Sequence, residues 1–367
     1  MKKIIFFANT ADSLYRFRLS LMCELSRLAY DVVVVSTNVK YKSEFESLGL
    51  RFIEFKLERK SKSVIVLFKE ILRFRSLLRL ENPDVVISYT HRSNLVYLLS
   101  ALLLRRHLGI INLTGLGIIF SQNKPSFVVI KKLLLLIYRV LGSGKQFTFQ
   151  NGDDFDLFFD NNICSQSNST ILNGSGIKIE YDANPNTLAT QGKLKVLFPA
   201  RGLPLKGLHT FYKSATIVNE LSDRFEFIHA GGFDEGFRDD HIQNNPNVKN
   251  IGFIENMQDY MQSCHLVVLP SMYREGVPRS LIEALYQGKP IITSNYPGCK
   301  MCVLDNWNGF VLNDPENPYE LASKIMLFLD SKKVNYPEFS DNSFDMCKKK
   351  FNVDMHINKI KEILNAD

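Results

Sequence analysis

The chain has 367 residues, enough for two domains of ordinary size, and its 45% hydrophobic and 23% charged content excludes a disordered or fibrous protein. The net charge of +7 conceals an asymmetry: residues 1–150 hold 24 Lys/Arg against 10 Asp/Glu, or +14, and the remainder 21 against 28, or −7. The first half is therefore suited to an anionic partner. Six cysteines without even spacing argue against a disulfide scaffold and for a reducing cytoplasm, and Cys299-x-x-Cys302 lacks the second pair that zinc would need.

Taken in chain order, Met1-Lys2-Lys3 is basic, but the apolar run Ile4 to Ala8 is too short for a signal peptide. Lys3–Ala8 and Asp31–Ser36 read as strands around a helical stretch Tyr15–Arg27, a βαβ opening. Further strands are expected at Arg51–Phe55, Val85–Tyr89, Gly109–Leu113 and Gln146–Gln150, with helices between them. In the segment from Val64 to Arg79, Lys69 and Arg73 share one helical face with Lys62. The apolar run Phe127–Gly142 is interrupted by Lys131, Lys132 and Arg139, so it should not span a bilayer. No nucleic-acid-binding motif accompanies the charge, so anionic lipid suits this half better than nucleic acid.

The polar stretch Asn173–Gly192 reads as a linker, and a second strand series follows at Lys195–Ala200, Phe225–Ala230, Asn250–Phe253, Leu266–Leu269, Ile291–Thr293 and Gly309–Val311. Strands alternating with helices imply parallel, doubly wound sheets. The last segment, Phe351–Leu364, reads as an amphipathic helix. No internal repeat is visible. The densest chemistry lies in Ser271–Phe310, where Glu275 in a Gly/Pro loop and Glu283 in a helix are separated by seven residues. A loop opening into a helix suits a phosphate. Carboxylates flanking it are better placed to accept hydrogen bonds from sugar hydroxyls, which suggests a nucleotide-sugar site.

At these residues the chain resembles the retaining glycosyltransferases of family 4, whose C-terminal half carries this E-x7-E element. The resemblance implies a GT-B fold: α/β, two Rossmann-like doubly wound domains facing a cleft, with the C-terminal helix crossing back to the first. The implied division is residues 1–175 with 351–367 for the acceptor and 176–350 for the donor. It assigns Glu275 to the donor sugar and Glu283 to the ribose. It also assigns Arg201 and Lys206, in Ala200-Arg201-Gly202-Leu203-Pro204-Leu205-Lys206-Gly207, to the diphosphate. Gly276, Arg279, Ser280 and Leu281 join the donor set, and Ile254, after Gly252-Phe253, is expected to touch the base through backbone. Gly231-Gly232 resembles a family turn and is read as scaffold, and Met301 stands where many relatives have a glutamate.

The first half matches less closely. Its first strand is followed by Asn9-Thr10-Ala11-Asp12-Ser13, without the glycines common in relatives. Leu14-Tyr15-Arg16-Phe17-Arg18, Thr90-His91-Arg92-Ser93-Asn94, Leu113-Thr114-Gly115-Leu116-Gly117 and Phe149-Gln150-Asn151-Gly152 resemble a subgroup acting in O-antigen, capsule and lipid-linked oligosaccharide synthesis. Arg16, Arg18, Thr114 and Asn151 are thereby placed on the acceptor side. Thr114 stands where many relatives have a sugar-contacting histidine, so that role does not transfer; His91, one strand earlier, also lies at a strand's carboxyl end, where open α/β sheets bind ligands, and is the candidate catalytic histidine.

The implied reaction moves a hexose or N-acetylhexosamine from a nucleoside diphosphate, expected to be UDP, to an undecaprenyl diphosphate-linked saccharide, with retention. No cofactor is expected, and without a D-x-D motif no metal. The enzyme should sit in the cytoplasm, peripheral on the inner face of the cell membrane. Two rival readings are a GT-B nucleotide-sugar epimerase and a non-catalytic membrane-binding module. A requirement for a second substrate separates out the first, and donor binding the second.

Overall fold

The computed structural model describes residues 1–58, 61, 63–102, 104, 107–122, 124–179, 192–233 and 237–366, so Lys62 and residues 180–191 of the linker expected at Asn173–Gly192 lie outside the described residues. The chain forms two compact units, Met1–Gly176 with Val353–Asp367, and Ile177–Asn352.

In the first unit the order is β1 (Lys3–Ala8), α1 (Ala11–Arg27), β2 (Asp31–Ser36), α2 (Lys42–Ser47), β3 (Arg51–Glu54), α3 (Val64–Glu81) and β4 (Val85–Tyr89). It continues with α4 (His91–Ser100), β5 (Leu108–Leu113), α5 (Gly117–Ser121), α6 (Pro125–Leu141), β6 (Gln146–Phe149), α7 (Gly152–Asp160) and β7 (Ser169–Ile171). All strands pair in parallel in the order β3-β2-β1-β4-β5-β6-β7. The central strands are largely apolar because both their faces are covered, and Ile4 to Ala8 are fully buried. One face packs α1 and α2 through Leu14, Leu21, Leu25 and Phe45. The other packs α3, α4, α6 and α7 through Phe74, Val96, Leu134 and Phe158.

The second unit runs β8 (Leu194–Phe198), α8 (Leu208–Leu221), β9 (Phe225–His229), α9 (Asp240–Gln243), β10 (Val248–Asn250), α10 (Met257–Gln262) and β11 (Leu266–Leu269). It closes with α11 (Arg279–Tyr286), β12 (Ile291–Ser294), β13 (Gly309–Leu312), α12 (Pro318–Met326) and α13 (Tyr336–Phe351). Its sheet, β10-β9-β8-β11-β12-β13, is again parallel. Helix α14 (Val353–Asn365) then packs Ile357, Ile360 and Leu364 into the α1 side of the first unit.

Three boundaries differ from the sequence reading. The first helix begins at Ala11, not Tyr15, because Thr10 caps it by accepting from the Ser13 amide; the strand-end loop shrinks to Asn9-Thr10. The strand expected at Asn250–Phe253 lies at Val248–Asn250, since Asn250 Oδ1 takes the Gly252 amide at 2.9 Å and Gly252 turns at φ +70. The terminal helix expected from Phe351 starts at Val353, because Phe351 ends α13 and Asn352 is extended (ψ 128), bridging to Ile177, whose amide donates to Phe351 O at 2.7 Å.

Candidate active site

The order β10-β9-β8-β11-β12-β13 reverses direction between β8 and β11, and open α/β sheets bind ligands beyond the carboxyl ends of strands at that point. Arg201 and Lys206 follow β8, and Glu275 follows β11, so the sequence-assigned residues flank the reversal. Lys206 ends the turn Pro204–Lys206, and Gly207, at φ +81, turns the chain into α8. A Cβ on Gly207 would meet the Pro270 carbonyl oxygen at 2.3 Å. Only glycine lets the Lys206 turn press against the end of β11. The two loops are tied by the Met272 amide, which donates to Leu205 O at 2.8 Å.

This closeness makes the central contact. Lys206 Nζ lies 2.5 Å from Glu275 Oε1, and both side chains are largely buried, 15% and 12% exposed. Ser271 Oγ donates to the same oxygen at 3.0 Å, and the Lys206 ammonium sits 5.3 Å from the Tyr273 ring centroid. Gly276 is buried beneath the loop, where a Cβ on Gly298 (φ +80) would strike the Gly276 carbonyl oxygen at 1.9 Å. The Pro297-Gly298 turn therefore presses directly on the Glu275-Gly276 backbone. Arg201 carries an exposed side chain at the end of the β8 loop.

The second glutamate is held on α11. Arg279 Nε donates to Glu283 Oε1 at 2.9 Å, an i,i+4 pair that fixes one carboxylate oxygen. The helix starts behind Pro278, with no side chain capping it, and Ser280 is half-buried in its first turn. Leu281 corrects the sequence reading. It is fully buried in the core and its amide bonds Pro278 O at 3.0 Å, so it anchors the helix rather than facing a ligand. Ile254 is half-buried and packs on the core from the loop after β10, and Met301 does so from the Lys300–Cys302 turn. Cys299 and Cys302 are fully buried, and burial pushes the Cys299 thiol up to about 12, so the pair is inert packing. Among the described residues no group of three His, Cys, Asp or Glu is arranged to hold a metal.

In the first unit the acceptor-side residues sit differently. Arg18 is buried, its guanidinium 5.0 Å from the Tyr89 ring centroid and within 3.4 Å of Ser175 O. Arg16 reaches the Tyr41 hydroxyl at 3.4 Å, and Thr114 is half-buried just past β5. Asn151 is fully buried as the cap of α7, Oδ1 accepting the Asp154 amide at 2.8 Å and Nδ2 donating to Asp154 Oδ2 at 3.2 Å. The sequence reading of Asn151 as an acceptor contact therefore gives way to a capping role. His91 Nε2 lies 3.2 Å from the Leu116 carbonyl, which can only accept, so this nitrogen carries the proton. Nδ1 then accepts from the Tyr138 hydroxyl at 2.9 Å, and burial lowers the His91 pKa to about 4. Both nitrogens are committed within the fold, so the geometry does not support His91 as the catalytic histidine. His229 repeats the pattern, with Nε2 3.0 Å from Ala200 O and Nδ1 3.0 Å from Tyr212 O–H.

Two features went unread in the sequence. Ser271 lies four residues before Glu275 in the same loop, a spacing that could have marked it as the carboxylate's hydrogen-bond donor. Thr90, between β4 and α4, has φ +73, a strained conformation for a β-branched residue and one that no sequence signal announces.

Two parallel doubly wound units with these strand orders define the GT-B class. A protein from Anabaena solved in complex with UDP superposes with a TM-score of 0.77 over all of both chains, at 16% identity. Residues 3–151 match the family model "Glycosyl transferase 4-like" and residues 182–342 match "Glycosyl transferases group 1". The chain is thus a glycosyltransferase built from a 4-like domain and a group 1 domain. It is 26% identical to the N,N'-diacetylbacillosaminyl-diphospho-undecaprenol alpha-1,3-N-acetylgalactosaminyltransferase of Campylobacter jejuni, over 90% of each chain. Over 115 residues, 31% of this chain and 28% of the other, it is 28% identical to an Escherichia coli UDP-Gal:alpha-D-GlcNAc-diphosphoundecaprenol alpha-1,3-galactosyltransferase.

Proposed function

We propose that this glycosyltransferase moves a hexose or N-acetylhexosamine from a UDP-sugar to an undecaprenyl diphosphate-linked saccharide, with retention of configuration. The observation that carries the reading is the Lys206–Glu275 contact at the reversal of the second sheet, with Arg201 in the same loop after β8 and α11 starting just after Glu275. Support for the acceptor comes from the Campylobacter jejuni relative, whose name states a diphospho-undecaprenol substrate.

In this reading the bond from the anomeric carbon to the β-phosphate oxygen breaks and a bond to the acceptor hydroxyl oxygen forms on the same face. The acceptor proton passes to the departing phosphate oxygen, which makes a separate strong base unnecessary. Arg201, Lys206 and the α11 start meet the charge growing on the diphosphate, a stabilisation worth most in the transition state. Glu275 positions the donor sugar and Glu283 the ribose. No metal or cofactor has a part in this step. A thermal-shift screen of nucleotide sugars, followed by titration with UDP, tests the reading. A ligand at 100 times its Kd adds about 2.7 kcal/mol of stability. Stabilisation by UDP-sugars over other nucleotide sugars is expected, and failure of UDP to bind at all would end the proposal. A product formed without any added acceptor would point to an epimerase instead.

A further inference from the structure

Helices α3 and α6 pack on the same face of the first sheet, with α4 between and in contact with both. Each buries one stripe, Phe74 and Leu78 from α3 and Leu134 and Tyr138 from α6, and each turns an apolar stripe away from the sheet. On α6 that outer stripe is Val129, Leu133, Leu136 and Val140, exposed by 67%, 55%, 55% and 61%. On α3 it is Ile65, Phe68 and Leu72, exposed by 69%, 59% and 48%. A soluble surface scatters such side chains singly; exposed apolar stripes on two helices packed on one sheet face mark an interaction surface.

The charge around the stripes says what covers them. Lys132 and Arg139 are exposed on α6, and Lys69 and Arg79 on α3. Residues 85–152 contain eight Lys/Arg and no Asp or Glu. The two carboxylates of α3 face inward: Glu70 is fully buried against Arg92, and Glu81 is buried against Lys3 and Arg51. A second copy placed symmetrically on this face would set its cations against their own counterparts. An anionic bilayer offers acyl chains to the stripes and headgroups to the cations at once. Helix α6 cannot span that bilayer: it has 17 residues, and its inner face is held by Leu134 and by the Tyr138 hydroxyl on His91. No helix among the described residues is long and apolar enough to cross a membrane.

We propose that α3 and α6 form a membrane-docking surface. The α6 stripe enters the acyl boundary of an anionic leaflet, and Lys132, Arg139 and Lys69 lie among the headgroups. The inference rests on the proposed lipid-linked acceptor, which confines the substrate to a membrane. It also alters the attachment that charge alone implies, because an inserted apolar stripe resists salt whereas headgroup contacts do not. Lys131, which the sequence groups with Lys132 and Arg139, instead turns over the Phe120 ring at 5.4 Å and is left out of the surface.

Flotation of the full chain with phosphatidylglycerol/phosphatidylcholine vesicles and with phosphatidylcholine alone tests this. The anionic vesicles should bind at least about tenfold more protein, and about 0.5 M NaCl should reduce binding without abolishing it. The double variant Leu133→Asp, Leu136→Asp should lose flotation at every salt concentration. Lys132→Gln, Arg139→Gln should lose the preference for the anionic lipid. UDP titration, which reads the other unit, serves as the control for folding and for the functional reading. Flotation without UDP affinity sinks that reading and leaves the surface standing. UDP affinity with no flotation, or with equal flotation of the Leu133→Asp, Leu136→Asp variant, overturns the surface. So does a lipid-free dimer that this variant dissociates in sedimentation velocity, because the stripe then serves a second copy.

Discussion

The Lys206–Glu275 pair gives the catalytic assignment its sharpest test. Glu275 shares one oxygen with an ammonium and a hydroxyl, so the amide of Glu275→Gln can keep the Ser271 hydrogen bond while dropping the charge. UDP affinity should stay within about threefold (~0.7 kcal/mol). Turnover with the donor found by screening should fall at least about 100-fold (~2.7 kcal/mol). Near-normal turnover in the purified variant would remove Glu275 from the reaction. Arg201→Ala and Lys206→Ala should each weaken UDP binding by roughly tenfold (~1.4 kcal/mol) and lower kcat/KM as well, since the leaving group is charged before and during transfer. Unchanged UDP affinity in both variants would place the diphosphate elsewhere. The sequence made the residues of this site visible but not their pairings. Lys206 and Glu275 are 69 residues apart, and only the adjacency of β8 and β11 brings them together. His91 misled for the opposite reason: its strand-end position is legible, whereas the Tyr138 hydroxyl that occupies it comes from α6, 47 residues on.

At the scale of elements, what could be read was burial. β1, β2, β4 and β11 are dominated by apolar residues because parallel central strands are covered on both faces, and their observed limits are those expected from sequence. One edge strand was hidden, although β3 and β13 at other edges were read. β7, Ser169-Thr170-Ile171, is three half-buried residues with little apolar signal, held as a strand by pairing with β6. The break at Asn352 depends on Ile177, which is remote in sequence. The Gly207 turn is the element on which the site depends most. Gly207→Ala should destabilise the second unit by about 1–3 kcal/mol from backbone strain, with a further cost from the clash with Pro270. Gly252→Ala isolates the first effect, since Gly252 has φ +70 but nothing within 4 Å of an added Cβ. Urea unfolding followed by Trp307 fluorescence should rank Gly207→Ala well below Gly252→Ala in stability. Equal losses would show that the close approach to Pro270 carries no energy.

For the whole molecule, acid should act through histidines buried as neutral imidazoles. Burial lowers the pKa of His91 to about 4 and of His356 to about 3, the latter with a contribution from Arg18, and it lowers that of His229 too. The unfolded chain protonates these side chains near pH 6.5 while the folded chain does not, so the unfolded state binds more protons below that pH. Stability therefore falls as the pH drops from about 6.5 towards 4, by up to about 1.4 kcal/mol per pH unit for each of His91 and His356. His91 and His356 belong to the first unit and His229 to the second, so the two should not lose stability together. Trp307, the sole tryptophan, reports on the second unit, while far-ultraviolet circular dichroism reports on both. At pH 7 the two probes can coincide; at pH 5 the dichroism transition in urea should begin at lower denaturant than the fluorescence transition. His91→Gln should flatten the pH dependence of that early phase and leave the Trp307 transition where it was. If the fluorescence transition moves with acid as far as the dichroism transition does, the neutral His91 and His356 do not govern the acid response of the first unit.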